Sequence, residues 1–127
     1  MTTPFEQLGG EKTVRRIASA FYRLMDETEP ELARLHRLDE QGRVHPEARE
    51  RFALFFIGWL GGPQTYMERH GHPRLRMRHA NVPVSEAMRD AWLRAMQRAL
   101  DEVRITGDIR RFLDEKLADV AEFLRNA

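Results

Sequence analysis

The sequence predicts an all-helical protein. Apolar residues recur at three- and four-residue steps along most of the chain, and no segment alternates apolar and polar residues as a half-buried strand would. Breaks rich in glycine and proline separate these segments, at Gly9-Gly10, at Gly61-Gly62-Pro63 and at Pro83. With 127 residues the chain can bury one hydrophobic core, so we expect a single domain over residues 1–127.

The first long helix is predicted after the first glycine pair, which marks a short opening turn. It extends to about Met25. Its apolar positions are Val14, Ile17, Ala18, Phe21, Leu24 and Met25. Beyond Met25 the pattern weakens around Pro30 and Gly42, which predicts a short helix followed by a polar loop.

The second long helix is predicted from Pro46 to the Gly-Gly-Pro break. Proline suits the first turn of a helix, where its missing N–H costs nothing. The aromatic residues of this helix follow helical steps and should face the protein interior: Phe52, Phe55, Phe56 and Trp59.

The last two long helices are predicted on either side of a turn at Thr106-Gly107-Asp108. Ser85 is a suitable N-cap for the third helix, and the negative charge of Glu86 interacts favourably with the positive end of the helix dipole. Its apolar face comprises Met88, Ala91, Trp92, Ala95, Met96, Ala99, Leu100 and Val103. The fourth helix has its apolar face at Ile109, Phe112, Leu113, Leu117, Val120, Ala121 and Leu124.

The composition excludes several classes of function. Lysine and arginine total 21 and aspartate and glutamate 20, a balance that argues against a dedicated nucleic-acid binder. The absence of cysteine excludes disulfides, iron–sulfur clusters and covalently attached haem. The N-terminal segment has no signal-peptide pattern, and Gly58 interrupts the longest apolar run, so we expect no membrane association and a cytoplasmic protein.

The connection between the second and third long helices is unusually long. It spans residues 61–84, whereas helix connections in bundles commonly have about two to eight residues. It contains the basic run from Tyr66 to His79, YMERHGHPRLRMRH. Long connections of this kind commonly have a functional role, and a basic run that ends in histidine suits an anionic cofactor that contains a metal, such as haem.

Several unusual strings resemble the group II, or O-type, truncated haemoglobins. They are Leu8-Gly9-Gly10, Phe21-Tyr22, the WLGGP string at 59–63, the GHPRLRMRH string at 71–79 and the DAWL string at 90–93. They occur in the family's order and span most of the chain. The resemblance implies a two-over-two helical sandwich around non-covalent haem b.

The resemblance implies that His79 is the proximal ligand of the haem iron. The chemistry agrees, since a neutral imidazole binds iron well. Arg78 and Tyr66 are implied contacts of the anionic haem propionates, and arginine can bind a carboxylate through two hydrogen bonds. His72 is a weaker candidate, together with Arg74 and Arg76. The pair His70 and His72 could alternatively form a surface metal site or be solvated loop residues.

On the opposite, distal face the resemblance places Tyr22 and Trp92, whose O–H and N–H can donate to a bound diatomic ligand. His36 is a third polar candidate. Phe52 would lie near the iron beside the small Ala48, and two further aromatic residues would pack at the porphyrin edge, namely Phe55 and Phe56.

Two segments depart from the family pattern. The stretch from His36 to Pro46 is several residues longer than is typical, so Leu35 or His45 are alternatives to His36. Residues 80–83 also differ from the usual string. Neither departure affects His79.

These residues predict a haem protein that binds dioxygen, nitric oxide and carbon monoxide, as a monomer or homodimer. Polar distal donors also favour nitric oxide dioxygenase or peroxidase-like chemistry. No dinucleotide-binding glycine motif is present, so such an enzyme would need a separate reductase. The alternative is a cofactor-free helical interaction module, whose aromatic residues are core and whose arginine-rich loop binds an acidic partner.

Overall fold

The computed structural model describes residues 2–127, and Met1 of the predicted domain lies outside the described residues. Within that range every regular element is a helix. In chain order they are α1 (Pro4–Leu8), α2 (Glu11–Thr28), α3 (Pro30–Ala33), α4 (Pro46–Trp59), α5 (Thr65–His70), α6 (Leu75–Arg78), α7 (Glu86–Glu102) and α8 (Gly107–Leu124). The all-helical prediction is confirmed, and the four long helices are the predicted ones.

Two helix starts form as their capping residues predict. Pro46 occupies the first turn of α4, and the Nδ1 atom of the preceding His45 accepts a hydrogen bond from Glu47 N at 3.1 Å. At the start of α7, Ser85 Oγ accepts from Met88 N at 3.2 Å. These side chains satisfy N–H groups that the first turn of a helix leaves without a partner.

The four long helices pack as two pairs, α2 with α4 and α7 with α8, and α2 lies against α7. The centre of the core contains residues from all four: Val14, Ile17, Phe21, Met25, Phe56, Ile57, Ala95, Met96, Ala99, Leu100 and Leu113. This is the expected arrangement of two layers of two helices. No helix of residues 2–127 has the length and apolar character needed to cross a bilayer.

The two glycine breaks bring α1 against the end of α4. Phe5 N donates to Leu60 O at 2.9 Å. Gly9 ends α1 with φ of 104°, a left-handed conformation that glycine adopts without strain. Gly62 faces the Phe5 ring, and a Cβ atom there would lie 2.7 Å from Phe5 Cδ1. Gly9 is therefore needed for the turn after α1, and Gly62 for the close approach of α1 to the end of α4.

Some elements differ from the sequence expectation. The opening turn is a short helix, α1, and α2 continues to Thr28. Helix α5 lies in a segment expected to be irregular, because it buries only Tyr66 and so shows no apolar periodicity. Phe112, predicted on the apolar face of α8, is 39% exposed, since the buried face of α8 is formed by Leu113, Leu117 and Ala121 and Phe112 points away from it.

The connection from α3 to α4 is an ordered loop rather than an extended polar segment. Leu38 and Val44 form an isolated antiparallel bridge, and Asp39 N donates to Arg43 O at 2.7 Å. We call residues 37–45 the distal loop. Its only fully enclosed side chain is Val44, which belongs to the main core.

A buried ion pair fixes the distal loop to the helices. Asp26 of α2 accepts from Val44 N at 3.0 Å and pairs with Arg49 of α4. Arg49 Nε in turn donates to Val44 O at 2.8 Å. The aspartate and the arginine thus satisfy both backbone groups of Val44 and anchor the loop that departs from the family pattern to α2 and α4.

Candidate functional site

His79 directly follows α6, a single helical turn between Arg74 and Ala80. Arg74 begins this turn with φ of 47°, a left-handed conformation, and His79 ends it. The Nδ1 atom of His79 lies 2.7 Å from Leu75 O. A carbonyl oxygen only accepts, so Nδ1 must carry the proton, and the lone pair of a neutral ring is then on Nε2.

His79 opens onto a cavity between α3, α7, α8 and the segment after α6. The apolar residues that line it are Leu32, Leu35, Val82, Val84, Met88, Val120, Ala121 and Leu124. The polar or amphipathic ones are His36, Arg78, His79, Arg89 and Trp92. Mostly apolar walls with a few polar groups are typical of a cofactor site.

His36 lines the same cavity from the end of the α3 segment. Its Nδ1 atom lies 3.1 Å from Leu32 O, so this nitrogen is also the donor. Burial lowers the pKa of His36, and the nearby His79 acts in the same direction, which keeps the ring neutral at physiological pH. In this state His36 presents a lone pair on Nε2, so it accepts rather than donates.

An aromatic cluster lies behind His36 and Trp92. The Tyr22 ring is 5.9 Å from the His36 ring and 5.6 Å from the Phe52 ring. The Trp92 ring is 6.4 Å from Phe52 and 5.2 Å from Phe21. The cluster thus joins α2, α4 and α7 at one end of the cavity.

Tyr22 and Trp92 both keep their donors free. Neither Tyr22 Oη nor Trp92 Nε1 forms a hydrogen bond with another residue of 2–127. No fully buried side-chain nitrogen or oxygen in this range lacks a partner, so both atoms reach accessible space. Burial raises the pKa of Tyr22, although Arg49 beside its ring opposes the shift, and the phenol therefore keeps its proton.

Two arginines lie at the cavity. Arg78 Nε donates to Pro73 O at 2.7 Å, which leaves its terminal nitrogens available for an anion. Arg89 was not identified from the sequence. Arg89 lies three residues before Trp92 and therefore on the same side of α7. This spacing is the only feature of the sequence that indicates a place for Arg89 at the cavity.

The remaining predicted residues lie away from the cavity wall. Phe56 is buried and stacks on Phe52 at 5.5 Å. Phe55 and the buried Tyr66 form an edge-on pair at 5.8 Å. His72 is exposed and outside the cavity. The structure therefore brings together His79, Arg78, His36 and Trp92, with Tyr22 and Phe52 directly behind them.

A sequence model for bacterial-like globins matches residues 3–126. The chain belongs to the bacterial-like globin family. This globin is 41% identical over 80 residues to group 2 truncated hemoglobin YjbI of Bacillus subtilis (strain 168), an alignment that covers 63% of the chain and 61% of that protein. The chain thus spans about three-fifths of the length of this relative.

Solved globin structures match over the full chain. Hemoglobin from the thermophilic phototrophic bacterium Chloroflexus aurantiacus superposes with a TM-score of 0.90 at 39% identity, covering 100% of both chains. The group II truncated hemoglobin from Bacillus anthracis superposes with a TM-score of 0.90 at 33% identity, covering 100% of this globin and 93% of that chain. The predicted relationship to group II truncated haemoglobins and the two-over-two fold are confirmed.

The residues at the cavity fit the haem that a globin binds. His79 offers one neutral nitrogen ligand, the apolar walls suit a porphyrin, and the terminal nitrogens of Arg78 suit an anionic propionate. Arg89 also lines the cavity, but its guanidinium is already paired with Glu86, Asp90 and Glu122. Within residues 2–127 no group of three histidine, aspartate or glutamate residues could hold a metal ion.

Proposed function

We propose that this globin is a cytoplasmic, single-domain b-type haem protein that binds dioxygen, nitric oxide and carbon monoxide. The geometry of His79 is the main support, because its Nδ1 is bonded to Leu75 O while its ring lines an apolar cavity. The carbonyl fixes both the tautomer and the orientation of the imidazole. Bound haem would supply the iron to which a diatomic ligand binds.

The distal residues define how a ligand would be held. We propose that Tyr22 and Trp92 donate hydrogen bonds to it, since both donors are free and Tyr22 remains protonated. Phe52 packs between their rings and limits water on this side. Arg78 would bind a propionate, with Tyr66 supporting the edge of the site through its contact with Phe55.

A catalytic extension of this proposal is nitric oxide dioxygenation or peroxidase-like turnover. Fixed donors favour reactions in which negative charge develops on a ligand. Nitric oxide, dioxygen and one electron yield nitrate, so a separate reductase must supply that electron. Nitrate formation that depends on added reductase, and that falls in Tyr22→Phe and Trp92→Phe, would support this activity.

Hemin titration of the purified protein tests the haem proposal. We expect an intense Soret band at one hemin per chain in the wild type, and loss or gross alteration of the band in His79→Ala. His70→Ala is the matched control, because His70 is exposed and does not line the cavity. A colourless wild type whose stability does not change with hemin would instead favour the cofactor-free interaction module.

A further inference from the structure

His36 and His79 have the same local arrangement. Each ring places Nδ1 on the carbonyl oxygen four residues earlier, at 3.1 Å from Leu32 O for His36 and at 2.7 Å from Leu75 O for His79. A carbonyl oxygen can only accept a hydrogen bond, so Nδ1 carries the proton in both rings. Each neutral ring therefore has its lone pair on Nε2. Within residues 2–127 neither Nε2 atom has a hydrogen-bond partner.

The two histidines lie on different elements and line one cavity. His36 follows α3, whereas His79 follows α6, and the rest of the cavity wall is mainly apolar. The other polar residues of the wall, Arg78, Arg89 and Trp92, offer only donors. Thus the two imidazole lone pairs are the strong side-chain acceptors of the cavity wall, and the thioether of Met88 is a weak one.

The lone pair of His36 has no suitable partner in a diatomic ligand. Dioxygen, nitric oxide and carbon monoxide have no proton to donate, so a neutral His36 with this tautomer cannot stabilise them by a hydrogen bond. Iron, in contrast, readily binds the lone pair of a neutral imidazole nitrogen as a ligand. Since no fully buried side-chain nitrogen of residues 2–127 lacks a partner, the unpartnered Nε2 of His36 reaches accessible space, where a metal can contact it.

We propose that His36 would be a second, reversible ligand of the haem iron, in addition to His79. The inference rests on the haem binding proposed above. An incoming ligand must displace His36 before it can bind. His36 lies between α3, which is only four residues long, and the distal loop.

Spectroscopy of the ferric protein reconstituted with hemin tests this assignment. We expect a six-coordinate, low-spin spectrum for the wild type by absorption and electron paramagnetic resonance. His36→Phe should convert it to a high-spin spectrum while keeping the Soret band. His70→Phe should leave the low-spin spectrum unchanged, and circular dichroism should show that both variants keep their helices.

Carbon monoxide binding to the ferrous protein provides a second readout. In the wild type the observed rate should reach a plateau with rising carbon monoxide, because departure of His36 becomes limiting. In His36→Phe the rate should rise in proportion to concentration. If the open state is about one-tenth populated, the affinity should increase about tenfold in the variant.

The outcomes separate this inference from the proposed function. A wild type without a Soret band contradicts both. A Soret band with a high-spin wild-type spectrum overturns the His36 assignment alone. A low-spin spectrum that survives His36→Phe but disappears in Tyr22→Phe also overturns it, since the sixth ligand would then be the phenol.

Discussion

Trp92 shows how one side chain contributes to both the core and the site. Its ring packs edge-on against Phe21 at 5.2 Å, as expected for an apolar position of α7, and it also lines the cavity. The indole N–H forms no hydrogen bond with another residue of 2–127. The residue therefore has a fixed ring and a free donor, which is what a hydrogen bond to a small ligand requires.

Replacing Trp92 with Phe should accelerate dioxygen dissociation. A ring remains in the cluster, while one hydrogen bond worth about 0.5–1.5 kcal/mol is lost, which corresponds to roughly a two- to tenfold faster release. Stopped-flow displacement by carbon monoxide measures the rate. Trp59→Phe is the control, because Trp59 stacks on Phe56 outside the cavity. An unchanged rate in Trp92→Phe would remove Trp92 from the donor role.

At the scale of elements, the distal loop owes its conformation to helices that are distant in sequence. Val44 is buried, and its N–H and C=O are bound by Asp26 and Arg49 respectively. Arg49 also lies 5.7 Å from the centre of the Tyr22 ring. The same ion pair therefore connects the loop after His36 to the tyrosine of the site.

Replacing Asp26 with Ala should destabilise the protein by about 2–3 kcal/mol. The change leaves Val44 N without its acceptor and Arg49 without its buried partner, and hydrogen bonds to charged groups are worth about 1.5–3 kcal/mol. Urea unfolding gives the free energy. Asp26→Asn, which keeps an acceptor for Val44 N, should lose less stability than Asp26→Ala.

A matched control for Asp26→Ala is Glu47→Ala, which breaks only the exposed pair with Arg37. Exposed pairs contribute little, so the stability should hardly change. Equal losses in Asp26→Ala and Glu47→Ala would contradict a special role for the buried pair.

The contact between α1 and α4 depends on glycine. Gly62→Ala should cost about 1–3 kcal/mol, because the added methyl would lie 2.7 Å from the Phe5 ring and must displace it. Gly58→Ala is the comparison, since Gly58 lies within α4 and its nearest neighbour would be 3.4 Å away. The Gly58→Ala substitution should leave the stability of the protein unchanged or increase it slightly. Thermal unfolding of both variants measures the difference.

At the scale of the whole molecule, an ion pair joins the two helix pairs beside the cavity. Glu29, between α2 and α3, accepts from Arg94 of α7 through two hydrogen bonds at 2.8 and 3.0 Å. Arg94 lowers the pKa of Glu29, so the folded protein releases this proton more readily than the unfolded chain. The pair therefore contributes stability only while Glu29 is ionised.

The stability of the wild type should fall as the pH is lowered below the ordinary glutamate pKa of 4.5. In this range the unfolded chain binds the proton first, and the contribution disappears as the pH passes the lower folded-state pKa. In Glu29→Gln the free energy of unfolding should fall less steeply as the pH is lowered. In Glu31→Gln, at an exposed position, it should fall as in the wild type. Urea unfolding at several pH values tests this, and parallel curves for wild type and Glu29→Gln would contradict it.

Much of the fold could be predicted because helical periodicity and caps are local properties. The four long helices, the Ser85 cap and the Pro46 start need only neighbouring residues. Helix α5 could not be predicted, because it buries a single residue, Tyr66, and so has no apolar periodicity. Within the site, His79, Arg78 and Trp92 could be identified from strings that resemble a family, whereas Arg89 had no such string.

The sequence by itself determined the four long helices, the globin relationship and the identity of the proposed proximal histidine. Only the tertiary structure decided that His36 and His79 share a cavity and that each has its lone pair on Nε2. The reason is physical: a residue type and its spacing define which atoms are available. Their tautomer, burial and mutual proximity depend on carbonyls and helices that only folding brings together.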